Sequence, residues 1–245
     1  MTLTAARALE AISGFPIVEA SDFVRRGLVV VAPHPDDESL GCGGLIAACR
    51  AAGLPVAIVI VSDGAASHPN SRRYAPPRLA ELREQEAIDA AVELRVAAAD
   101  VHFLRLPDGA VPTGGRDAAK AVERIAELVG AADVMAVTWR HDPHCDHKVS
   151  FGLARAAVRR RSGVSVWEYP IWGLTLTPQT PLTAEPLTGV RVRVEDHLRA
   201  KRRAVAAHAS QTTDLITDDP KGFRLTPSML GLFDTPFEIF LKDAP

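Results

Sequence analysis

Apolar runs and amphipathic stretches alternate along the first two-thirds of the chain. LVVVAP (28–33), VAIVIVSDG (56–64), DVHFLRLPDG (100–109), DVMAVTWR (133–140) and VSVWEYPIW (164–172) are short and almost continuously apolar. That is the pattern of strands covered on both faces. Between them, GGLIAACRAAG ending at Gly53, PRLAELREQEAIDAAVEL, and stretches from about Arg116 to Val129 and from about Lys148 to Arg161 read as helices. Strand and helix in turn predict an α/β fold with a mostly parallel sheet and helices on both faces. After residue 173 the rhythm changes. A Thr/Pro-rich loop (174–189) leads to VRVRVED, whose two-residue alternation predicts a half-solvated strand at a sheet edge. A helix, DHLRAKRRAVAAHASQ, and a last apolar strand, FEIFLK, complete the C-terminal additions. No internal repeat and no second domain boundary is visible.

Composition narrows the function classes. A net charge of −2 and a pI near 6.4 over 245 residues give no basic face for nucleic acid or an anionic membrane. The one basic cluster, Arg159-Arg160-Arg161, reads as the end of a helix, complementing its dipole. Cysteines 42, 49 and 145 are odd in number and lack CxxC spacing, which argues against a disulfide framework and for a reducing compartment. Arg7 and Glu10 interrupt the only candidate leader, and no run has the length of a membrane span. The expectation is a cytoplasmic protein.

The unusual polar residues gather where strands end, and ligands of open parallel sheets bind at the carboxyl ends of strands. The first strand runs into His34-Pro35-Asp36-Asp37-Glu38, the second into Asp63-Gly64, the third into Asp108-Gly109. The fourth runs into His141-Asp142-Pro143-His144-Cys145-Asp146-His147. If the first and fourth strands are neighbours, two His/Asp clusters converge on one cleft. A catalytic zinc takes three such ligands and keeps a fourth position open. His34 with either Asp36 or Asp37, and one of His141, His144 and His147, could supply them, and a carboxylate left over could act as general base. Capping and dipole complementation alone would account for one carboxylate at the start of a helix, not for the preceding histidine.

HPDDE after the first strand and PHCDH after the fourth resemble the PIG-L/LmbE-like family of zinc-dependent N-deacetylases. RLAELREQEAIDAAVEL, LPDG and KRRAVAAHASQ resemble further family segments, so the likeness runs from about residue 27 to 242. It leaves residues 1–26 as an N-terminal extension to a domain spanning 27–245. The resemblance implies a single Rossmann-like domain that removes an acetyl or other acyl group from an N-acetylglucosamine-type sugar or conjugate. It further implies that His34, Asp37 and His147 hold Zn2+ (or Fe2+ or another divalent metal) and that Asp36 is the general base. His144 would stabilise the oxyanion or protonate the leaving amine, and Arg78 would contact substrate. The expected partner is a small N-acyl amino-sugar or glycoconjugate, without nucleic acid. Pairing of an edge strand such as VRVRVED offers a route to a homo-oligomer.

Other residues carry weaker readings. Glu38 could cap the next helix or orient His34. His208 could face the cleft or serve the structure, His141 and His68 read as loop residues, and His102 as part of a strand. Of Trp139, Trp167, Tyr169 and Trp172, one could stack on a sugar, with burial expected for most. Two rival classes remain. Gly41, Gly43 and Gly44, with Asp63 at the next strand end, imitate a nucleotide- or SAM-binding module, although GCGG is not GxGxxG. A non-catalytic metal-binding relative is the other, and it would need neither Asp36 nor His144.

Overall fold

The computed structural model describes residues 2–159, 161–183 and 186–242. The chain opens with β1 (Leu3–Thr4), α1 (Ala5–Ser13), β2 (Ile17–Glu19) and α2 (Ala20–Phe23). Strand and helix then alternate through β3 (Leu28–Ala32), α3 (Asp37–Ala51), β4 (Val56–Ser62), α4 (Pro76–Glu93), β5 (Val101–Leu106) and α5 (Gly115–Val129). They continue with β6 (Val134–Thr138), α6 (Cys145–Val158) and β7 (Ser165–Tyr169). The C-terminal part holds β8 (Pro181–Thr183), β9 (Thr188–Arg193), α7 (Leu198–Ala207), α8 (Ala209–Thr212), α9 (Pro227–Phe233) and β10 (Phe237–Lys242). Arg160, the middle of the basic run, lies outside the described residues; α6 ends just before it, with Arg159 as C-cap.

The apolar runs form the parallel centre of an eight-stranded sheet ordered β2-β9-β10-β7-β6-β3-β4-β5. The first apolar strand sits between the second and the fourth, Val30 opposite both Ile58 and Ala136. Side chains alternate across it. Val30 and Ala32 join Leu45, Ile46, Ala90 and Ala204 under α3, α4 and α7, while Val29 and Val31 join Ile125 and Leu153 under α5 and α6. Every residue of β3 is buried, and each such Val or Leu contributes about 1.5–3 kcal/mol relative to exposure. This double coverage is why the run carries no polar alternation.

The C-terminal part departs from expectation. VRVRVED is interior, not an edge: β9 pairs with β10 on one side and with β2 on the other. The edge falls to β2, in the N-terminal stretch. Alternation reports one wet face, and an interior strand can also have one. Arg191 and Arg193 lie on it over the Phe237 ring, each 5.4 Å from its centroid. The helix expected through DHLRAKRRAVAAHASQ breaks at His208 (ψ 58°) into α7 and α8. Finally, α3 starts at Asp37, so the glycines lie inside it. A Cβ on Gly41 would stand 2.2 Å from Tyr169, and one on Gly44 2.5 Å from Val194. Close packing, not a phosphate, demands them.

Candidate active site

Because β3 and β6 are adjacent and parallel, the HPDDE turn and the loop opening α6 meet at one end of the sheet. The Asp37 Oδ2 atom accepts the His34 N–H at 3.0 Å, closing the turn on itself. The same oxygen lies 3.2 Å from His34 Nδ1 and 3.3 Å from His147 Nε2, and the two ring nitrogens are 3.3 Å apart. Tetrahedral ligands about 2.0–2.1 Å from a metal stand roughly 3.3 Å from one another, so this triangle fits one face of such a centre. Asp37 Oδ1, buried, has no hydrogen-bond partner, as expected of a carboxylate shaped for a cation. Looser groups, His34–His144–His147 and His34–Asp108–Asp146, have donor atoms within 4.8 Å.

The surrounding carboxylates orient both rings. His34 Nε2 faces Asp108 Oδ1 and Asp146 Oδ2, each at 3.2 Å. A proton held there leaves the Nδ1 lone pair for the triangle. Asp146 is itself anchored by the amides of Gly109 and Val111 (2.7 and 3.2 Å), and Asp108 by the amide of Ala66 (2.9 Å). Asp142 Oδ1 approaches His147 Nδ1 to 3.3 Å, while its Oδ2 accepts the amides of Ile171 and Gly173. Burial works against charge on both rings. The carboxylates outweigh it, holding His34 well above its ordinary value and pushing His147 up to about 9. Burial likewise opposes ionisation of Asp37, yet the charges of His147 and His34 hold its carboxyl far below the usual range. Such a cluster is built to keep positive charge at its centre.

Asp36 does not join the triangle. Its carboxylate meets Arg83, whose Nη2 donates to Asp36 Oδ2 at 3.2 Å and to Pro35 O at 2.7 Å. Burial pushes the Asp36 carboxyl up to about 7, with Asp37 adding to the rise and Arg83 opposing it. A carboxyl near neutrality can take up and release a proton at working pH. Its φ of 140°, with ψ −30°, is a conformation that costs an L-residue on the order of 1–3 kcal/mol. His144 caps α6, its Nδ1 accepting the Asp146 N–H at 3.2 Å. Burial and the neighbouring His34 and His147 lower its pKa, and in the neutral ring so bonded the proton sits on Nε2. His34, Asp36, Arg83 and His144 line a cavity of about 610 Å3 whose other wall is Trp172, Phe223 and Met229.

Arg78 is not brought into this cluster: it donates to Arg73 O at 2.8 Å and lies over the Tyr74 ring. Arg83, five positions on, is the arginine that reaches the site, and helical period would have flagged it only with the site's direction known. Glu38 does not meet His34; it accepts the N–H of Asp36, the N-cap residue of α3, at 3.0 Å, and so caps that helix. His208 is buried against Glu38, at 3.0 Å. His141 packs edge-on to Trp139, His68 lies under Gly222, and His102 meets Arg124 on β5. Trp139 and Tyr169 are buried in the core, Trp167 packs on Phe23, and Trp172 alone of the four lines the cavity. Asp63 Oδ1 accepts the amides of Ala65 and Asp108, so it shapes the loops rather than meeting a ribose.

A mostly parallel α/β sheet with a His/Asp cluster able to hold a metal at its strand ends is the architecture of the metal-dependent deacetylases. The chain belongs to the PIG-L (GlcNAc-PI de-N-acetylase) family, whose profile matches residues 29–158. It is 27% identical over 201 residues to a probable N-acetyl-alpha-D-glucosaminyl L-malate deacetylase 2 of Bacillus cereus, covering 80% of this chain and 88% of that one. Among solved structures it resembles a deacetylase triple mutant of the teicoplanin biosynthetic pathway, with TM-score 0.66, 22% identity and coverage of 88% and 96%. It also resembles the 4-carboxy-2-hydroxymuconate hydratase of Pseudomonas putida, with TM-score 0.57, 17% identity and coverage of 76% and 80%. The fold thus serves more than one reaction, and the reaction must be argued from the site.

Proposed function

We propose that this protein is a zinc-dependent N-deacetylase that removes an acetyl, or another small acyl, group from an N-acetylglucosamine-type sugar or conjugate. The observation that carries the reading is the separation of two neighbouring aspartates. Asp37 closes a triangle with His34 and His147, while Asp36 stands outside it, its carboxylate against Arg83 and on the wall of the cavity. His34, Asp37 and His147 hold the divalent ion, zinc by the His/carboxylate donor set and iron by the same ligands. When bound, that ion is a Lewis acid that brings the pKa of a coordinated water towards 7.

The chain's own groups do the rest. Asp36 accepts the proton of the attacking water as its oxygen bonds to the amide carbon. His144 donates through Nε2–H to the carbonyl oxygen as negative charge develops on it. The C–N bond then breaks, and the proton held by Asp36 passes to the departing nitrogen, giving a carboxylic acid and a free amine. Arg83 keeps Asp36 aimed into the cavity, and Trp172, Phe223 and Met229 offer the apolar surface on which a sugar ring or its substituent rests. Arg78 lies outside this set of groups, its Nη1 donating to Arg73 O and its guanidinium over the Tyr74 ring. We assign the domain to residues 27–245, with 1–26 an extension that lends β2 to the sheet. Among the described residues no helix is long and apolar enough to cross a membrane.

An acetate-release screen over N-acetylglucosaminyl conjugates tests the activity. His147→Ala should lose the metal, and Asp36→Asn should keep it and lose turnover by about a thousandfold. Full turnover by metal-loaded Asp36→Asn would remove Asp36 from the mechanism.

A further inference from the structure

The mechanism uses the Asp36 carboxylate but leaves its backbone unexplained. At φ 140° it occupies a region open to glycine and costly to any residue with a Cβ, and such residues persist only where neighbours over-determine them. The peptide unit joining Pro35 to Asp36 is held at both polar ends. Its carbonyl oxygen accepts from Arg83 Nη2 at 2.7 Å, and its N–H donates to Glu38 Oε2 at 3.0 Å. The following unit is locked by the first turn of α3, where Ser39 N and Leu40 N donate to Asp36 O at 3.0 and 2.9 Å. Relaxing φ requires the first unit to rotate, and that breaks the bond to Glu38.

Glu38 is in turn fixed from the far end of the chain. Its Oε1 accepts from Ser39 Oγ at 2.7 Å and faces His208 Nε2 at 3.0 Å, with Glu38 and His208 each 1% exposed. His208 sits at the break between α7 and α8. Just beyond it, Ser210 is tied to Glu86 of α4 through its amide (2.7 Å) and its hydroxyl (2.6 Å).

We propose that Glu38, braced by His208, is a positioning residue that holds Asp36 in this backbone conformation and so aims its carboxylate beside the metal triangle. The inference rests on reading Asp36 as the general base. Without the brace Asp36 returns to a negative φ and its carboxylate swings away, and a displacement of about 1 Å can cost on the order of a hundredfold in rate.

The test compares Glu38→Met, which removes the acceptor, with Glu38→Gln, which keeps one. The protein is zinc-loaded, and acetate release from N-acetylglucosamine is followed. Glu38→Met should keep its metal and its KM and lose about a hundredfold in kcat, with Glu38→Gln recovering to within about tenfold of the native enzyme. A crystal structure of Glu38→Met should show Asp36 at negative φ, a readout that needs no substrate. Retention of φ near 140°, or a kcat within threefold of native, overturns the proposal. Should Glu38→Met not fold, His208→Ala and His208→Gln decide: a kcat loss confined to His208→Ala supports the brace, and native turnover in both overturns it. Asp36→Asn separates the two ideas. If it stays active, the assignment of the base falls; if it is dead while Glu38→Met is active, only the positioning role falls.

Discussion

Replacing Asp36 by alanine and by glycine isolates the cost of its backbone. Both substitutions remove the buried carboxylate, its repulsion with Asp37 and its contact with Arg83, so these effects cancel in the comparison. They differ by one Cβ at φ 140°. Alanine there bears about 1–3 kcal/mol of strain. If it relaxes instead, it gives up the bonds of the Pro35–Asp36 peptide to Arg83 and Glu38, at about 1–3 kcal/mol for a buried polar group left without a partner. Glycine is free of both and gives back about 0.5–1 kcal/mol in chain entropy. The glycine variant should therefore be the more stable by about 0.5–2 kcal/mol. At about 2–4 °C per kcal/mol for a chain of this size, that is a Tm difference of roughly 1–8 °C. Calorimetric unfolding of the two proteins in chelator, which removes any contribution from bound metal, measures it. An alanine variant melting at or above the glycine variant would refute the claim that this peptide is strained.

Other expectations follow from single contacts. Stripping the enzyme with a chelator should abolish acetate release and lower Tm, since an ion at 100 times its dissociation constant contributes about 2.7 kcal/mol; zinc should restore both, and an unchanged Tm and turnover would remove the metal from the site. Gly222→Ala would set a Cβ 2.1 Å from His68 Cδ2, an overpacking of about 1–3 kcal/mol. Its neighbour Phe223 lines the cavity, so KM should rise more than kcat falls, and a native KM with native stability would contradict this. Asp133 accepts the amides of Arg25, Arg26 and Gly27 at 3.0–3.1 Å; burial opposes ionisation slightly, and these bonds hold its carboxyl below the usual range. A lowered folded-state pKa stabilises above the ordinary value and is lost on acidification. Asp133→Ala should therefore cost about 1–2 kcal/mol at neutral pH, with the gap from native closing below about pH 4; a gap independent of pH would count against it.

Much of the architecture is local, and so it was legible in the chain. A strand buried on both faces must be apolar throughout, which is why β3, β4 and β6 could be read directly from LVVVA, VAIVIVS and VMAVT. Strand ends of a parallel sheet collect polar chemistry, which is why HPDDE and PHCDH could be paired before any coordinates. Alternation in VRVRVED does not reveal the sheet's edge, because it records solvation of a face and not the number of neighbours. That β9 is interior depends on β2, which lies 171 positions earlier (188 − 17).

The division between Asp36 and Asp37 was beyond local pattern altogether. Two adjacent carboxylates have the same composition, charge and place. One faces His34 and His147 and the other Arg83, with the backbone of Asp36 held at φ 140° between them. That angle is set by Arg83 of α4 and by Glu38, which His208 braces from beyond α7, and long-range partners of this kind leave no periodic trace. The residues able to bind a metal were therefore determined by the sequence; which aspartate faces the two histidines, and which stands apart against Arg83, was decided only when three distant segments closed on one peptide.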